Sequence, residues 1–196
     1  MSHSAVSAPD YGRLGIENRK LGMWFFLASE VMFFTGLIGA YIVLRGATPS
    51  WPTPSTVLNI PLTAVNTFIL ICSSATLVKG LASAQDGDKE GMQVGLFLTV
   101  LLGALFLSVQ MHEYHELIHE KEFTPASGIF GACFFTLTGF HGMHVFGGVI
   151  CLFFVFLRSL KGYYGPQEYR GIEIVGLYWH FVDLVWIILF TILYLI

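Results

Sequence analysis

The sequence predicts an all-α bundle of five membrane-crossing helices, and three observations carry that prediction. The chain is 55% hydrophobic and only 12% charged, with a mean hydropathy of +0.68. Its apolar residues collect into five long runs, at 22–44, 61–84, 92–111, 126–160 and 172–196. Short polar connections separate the runs. A soluble domain does not have this composition, and an apolar run of about 20 residues is the length a bilayer core of roughly 30 Å demands. The net charge of −3 gives no basis for nucleic-acid binding.

The elements follow in order. Residues 1–20 are polar, hold Arg13, Glu17, Arg19 and Lys20, and lack the basic–apolar–cleavage order of a signal peptide. They read as a tail before a single domain, 21–196. The 45–60 connection holds Pro49, Pro52 and Pro54 around Trp51. It reads as a proline-rich loop with an interfacial tryptophan. The 85–91 connection is a charged turn with Gly87. The fourth run is long enough to tilt or to project beyond the membrane. The fifth would reach about 37 Å as a helix.

Basic residues set the orientation. With the N-terminus inside and the C-terminus outside, Arg13, Arg19, Lys20, Lys79, Lys89, Arg158, Lys161 and Arg170 fall at the inner side. Arg45 and Lys121 fall outside. The 111–124 connection is then outer and acidic, with Glu113, Glu116, Glu120 and Glu122.

Polar residues inside the runs are the functional candidates, because a charge near a bilayer centre costs roughly 2.5–3.5 kcal/mol on insertion scales. Glu30 lies about 12 Å into the first helix from Gly22. It reads either as a proton-exchanging or inter-subunit carboxyl, or as a protonated carboxyl bonded to a neighbouring helix. His141 and His144 share a helix face, with Gly139, Gly142, Gly147 and Gly148 beside them. They read as hydrogen-bonded packing or lipid-contact residues, with metal or haem ligation as the alternative. His180 and Asp183, framed by Trp179 and Trp186, are one turn apart, so each is a natural partner for the other.

His115-Glu116-Leu117-Ile118-His119 matches the zinc-protease pattern H-E-x-x-H. Such an enzyme needs a third protein ligand and a wet cleft, and no distant acid stands out as that ligand. Catalytic zinc is therefore a remote alternative, and adventitious surface metal binding is the milder one. Cys72, Cys133 and Cys151 are widely spaced within apolar runs and form neither a metal motif nor a disulfide framework. No metal site is assigned.

Taken together the segments resemble subunit III of haem–copper oxidases. The motifs, in order, are Ser29-Glu30-Val31-Met32-Phe33-Phe34-Thr35-Gly36, Trp51-Pro52, Pro61-Leu62 with Asn66-Thr67, and Gly87-Asp88-Lys89 before Met92-Gln93. Gln110 with Glu113-Tyr114 follows. The longest are Thr138-Gly139-Phe140-His141-Gly142-Met143-His144-Val145 and Tyr178-Trp179-His180-Phe181-Val182-Asp183-Leu184-Val185-Trp186. The resemblance runs from about Asn18 onward. It implies a subunit of a cytochrome c oxidase that holds no redox centre. Haem and copper would sit in partner subunits I and II, and other respiratory-complex subunits are possible neighbours.

The resemblance further implies bound phospholipid and support of proton uptake, and a short chain with no visible transit peptide leads us to expect a prokaryotic cytoplasmic membrane. Glu30 and Glu113 match the family's carboxylates. His141, His144, His180 and Asp183 match its helix-borne polar pairs. A quinol oxidase subunit and a nitric oxide reductase accessory subunit are the rival readings. Two departures stand out: the chain starts where the third helix of the seven-helix form would, and His115 and His119 have no counterpart in the family pattern, with residues 117–120 looking like a short insertion.

Overall fold

The computed structural model describes residues 17–196. The tail positions before them, Arg13 included, lie outside the described residues. Five helices are long and apolar enough to cross a membrane. They are α1 (Asn18–Ala47), α3 (Ile60–Asp86), α4 (Lys89–His119), α5 (Ile129–Leu160) and α6 (Arg170–Phe190). A π-helical turn, Thr191–Leu195, continues α6 to the end of its span. A four-residue helix, α2 (Pro54–Val57), lies within the expected proline-rich loop.

The helices outrun the apolar cores by up to eight residues. Polar terminal turns can still be helical, because backbone groups there find water or caps. Asp88 caps α4, accepting from Gly91 N at 3.0 Å. Asn59 caps α3 through Leu62 N at 3.3 Å. Gly87 closes α3 at φ 81°, in the left-handed region that glycine occupies without strain. The largest difference from expectation is at the end of α4. Residues 112–119, read as connection, are helix, so the H-E-x-x-H stretch lies on its last turns.

Helices α3 and α4 pack closest. A Cβ at Gly95 would fall 2.6 Å from Gly80 Cα, so only glycine permits that approach, as is common between membrane helices. Helices α4, α5 and α6 follow around the bundle, and α6 returns against α3. Helix α1 leans on α5 and α6 from outside. Much of its surface is apolar and exposed, as at Phe25 and Met32, which suits lipid or another subunit.

Two tryptophans of α6 lock the bundle. Trp179 slots between glycines: a Cβ at Gly103 of α4 would meet its ring at 2.7 Å, and one at Gly148 of α5 at 2.8 Å. Its indole N–H donates to Ser73 Oγ of α3 at 3.0 Å. Two turns on, Trp186 donates to Thr67 Oγ1 of α3 at 2.9 Å. It also stacks on His141 of α5 and meets Phe106 of α4 edge-on. Each indole is buried with its polar handle satisfied, which is what a buried tryptophan requires.

Candidate functional site: intramembrane carboxylates

Glu30 leaves α1 on the side that faces α5, and its Oε2 lies 2.9 Å from His144 Nε2. Each side chain retains 18% exposure. The other ring nitrogen, Nδ1, lies 2.7 Å from the Phe140 carbonyl. A carbonyl only accepts, so Nδ1 must carry a hydrogen. Nε2 then has two choices. It accepts from a protonated Glu30, or it carries a second hydrogen and faces an ionised one. Either form places one hydrogen between the two groups, on one side or the other of the 2.9 Å contact.

Aromatic rings enclose this pair. Phe34 meets the His144 ring edge-on at 5.0 Å, Phe33 lies at 6.2 Å, and Tyr178 of α6 donates its hydroxyl to the His144 carbonyl at 3.0 Å. The surroundings are therefore low in dielectric, which strengthens the contact.

His141 does not join it. One turn earlier on α5, it points into the bundle, is 0% exposed, and stacks on Trp186 with ring centres 4.7 Å apart. Neither ring nitrogen has a hydrogen-bond partner among the described residues. Of the two residues expected to be hydrogen-bonded packing or lipid contacts, His144 is hydrogen-bonded, whereas His141 is buried without such a bond among the described residues. Residues three apart share a broad face, but the seam between α1 and the core divides it, and each ring faces a different neighbour.

Glu113 has a second, wholly different setting. It is 3% exposed, on the inward face of α4. Thr63 of α3 donates to its Oε1 at 2.9 Å, and the Tyr194 hydroxyl in the closing π-turn lies 3.2 Å from each oxygen. One carboxyl therefore ties α3, α4 and the end of α6. Neither Thr63 nor Tyr194 stood out in the sequence, since a lone hydroxyl in an apolar run has no spacing signature.

His180 and Asp183 also differ from expectation. His180 Nδ1 meets Ser74 Oγ of α3 at 3.2 Å, and Ser74 is also a hydrogen-bond neighbour of Asp183. No ion pair joins His180 directly to Asp183 among the described contacts. Asp183 is 8% exposed, and its Oδ1 lacks a partner. The two side chains converge on a serine of another helix because helix packing supplies a closer hydroxyl than their shared turn does.

His144 has both nitrogens engaged, His141 is walled by Trp186 and Phe106, and His180 turns to Ser74. Among the described residues no three His, Cys, Asp or Glu side chains gather as a metal centre. His115 and His119 lie side by side, ring centres 4.5 Å apart, away from all of the above.

The sequence profile of cytochrome c oxidase subunit III matches residues 14–196. Cytochrome c oxidase subunit 3 of Thermostichus vulcanus is 38% identical over 196 residues, covering 100% of this chain and 96% of that one. The probable subunit 3 of Nocardia farcinica is 40% identical over 177 residues, covering 90% and 87%. The subunit 3 of Synechocystis is 41% identical over 180 residues, covering 91% and 76%. By this match over nearly its whole length, and with its five apolar helices, the chain belongs to the cytochrome c oxidase subunit III family.

Proposed function

We propose that the chain is the non-redox subunit III of a proton-pumping oxidase that takes electrons from cytochrome c and reduces O2 to water. It packs against subunits I and II, which carry the haems and copper, and it binds phospholipid along its exposed apolar faces. Its place is a prokaryotic cytoplasmic membrane, N-terminus inside, as the distribution of basic residues favours. The single observation that best supports a working role is the Glu30–His144 contact at 2.9 Å. A carboxyl and an imidazole that share one proton, partly exposed at a helix seam, suit proton exchange with the neighbouring subunit. Glu113, His180 and Asp183 act as internal ties, as Trp179 and Trp186 do.

Native purification tests the assignment. Haem- and copper-bearing subunits should co-purify with a haem spectrum, and copper in subunit II would mark cytochrome c as donor. Recovery of a stable haem-free monomer would overturn it. In the assembled oxidase, Glu30→Ala is expected to leave subunit composition intact while altering proton uptake or shortening sustained turnover. Wild-type turnover kinetics in that variant would remove the functional role.

A further inference from the structure

The C-terminal turns of α4 carry three histidines that the oxidase reading leaves unused. At 3.6 residues per turn, His112, His115 and His119 fall within an arc of about 60°, and all three are exposed. The His115 and His119 rings are neighbours, centres 4.5 Å apart with 47° between their planes. The backbone beneath them is held firmly. Leu117 is buried, Phe123 N donates to the Leu117 carbonyl at 2.8 Å, and Lys121 bridges Glu116 and the Val57 carbonyl at 3.0 and 2.9 Å.

The ring separation has a coordination meaning. A metal–nitrogen bond of about 2.05 Å places the ion about 3.2 Å from each ring centre. With one nitrogen of each ring turned to a shared ion, centres 4.5 Å apart would subtend about 90° at it. A tetrahedral ion would need them about 5.2 Å apart. A right angle is the cis angle of square-planar and tetragonal sites, where imidazole serves Cu(II), and Cu(II) also stands at the top of the divalent affinity order. Glu120 and Glu122, both exposed and close in sequence to His119, add negative potential that attracts a cation, while the Lys121 charge is paired with Glu116.

We propose that His115 and His119 form an open two-imidazole site for Cu(II), with water in the remaining positions. It is a binding site and not a peptidase centre. Glu116, which a zinc protease would use as base, is taken by Lys121.

The test titrates Cu(II) into the full chain in detergent, in a His3→Ala background so that the tail histidine does not compete. Electron paramagnetic resonance should give one axial signal with splitting from two nitrogens. Zn(II) should need at least about tenfold excess to displace it. His115→Ala and His119→Ala should each weaken binding at least about tenfold, while His112→Ala leaves it within about twofold, with helicity unchanged in all three. A two-nitrogen signal that survives His119→Ala would mean an adventitious ion only, and displacement by equimolar Zn(II) would remove the copper preference. Either result overturns the proposal.

Discussion

Glu30 and Glu113 are the same residue placed in two different regions of one membrane bundle. Glu113 lies in the packed core, closed off from its surroundings and held by two neutral hydroxyls from separate elements. Glu30 lies on the α1 seam, partly exposed, against an imidazole that can itself carry charge. In the core every partner is fixed, so the carboxyl is a joint. At the seam the partner is an imidazole and the helix behind it is only loosely covered, which suits the proposed role of exchanger. Environment and not residue type divides the two roles.

The sharpest way to break the core side is Trp179→Ala. It leaves a cavity among Ser73, Gly103 and Gly148 and should cost about 3–5 kcal/mol, read as a lower unfolding midpoint in detergent. Glu113→Ala comes next. It leaves the Tyr194 hydroxyl without its acceptor in a dry site, at about 1–3 kcal/mol, while Thr63 still donates to the Asn59 carbonyl at 3.0 Å. Tyr194→Phe removes one donor and keeps the ring, so its cost should be about 1 kcal/mol. The smallest effect belongs to the seam. Glu30→Gln keeps a hydrogen-bonding group facing His144 and should change stability by less than about 1 kcal/mol, while proton uptake by the assembled oxidase changes measurably. If Glu30→Gln destabilised the fold as much as Glu113→Ala, the contrast between joint and exchanger would collapse.

The five spans were legible because apolar length is a composition signal. Their ends were not, since Lys89-Glu90 and the 112–119 stretch look like loop by polarity yet are helical by capping and register. Glu30 and His144 were each visible as polar residues in apolar runs. Their contact was not, because 114 positions separate them and only the rotation of α1 against α5 decides which turn of each meets the other. The same applies to His180, whose serine partner sits 106 positions away. A sequence reveals its own i, i+3 neighbours, so His180 was matched to Asp183, when α3 offered the nearer oxygen.

The lean of α1 has a consequence for assembly in time. Its polar ties run to the far end of the chain: Lys20 to Glu173 at 2.6 Å, Tyr41 to the Ile192 carbonyl at 3.1 Å and Arg45 to the Ile196 carbonyl at 2.6 Å. Those partners lie 151 to 153 positions later. At a synthesis rate of about 5–20 residues per second, α1 waits about 8–30 seconds in the bilayer before they emerge. His144 follows Glu30 by 114 positions, so for about 6–23 seconds of that interval Glu30 has no imidazole to face, and α1 is seated only after its later partners are made. Until then it depends on lipid, or on an insertion factor that shields its carboxyl.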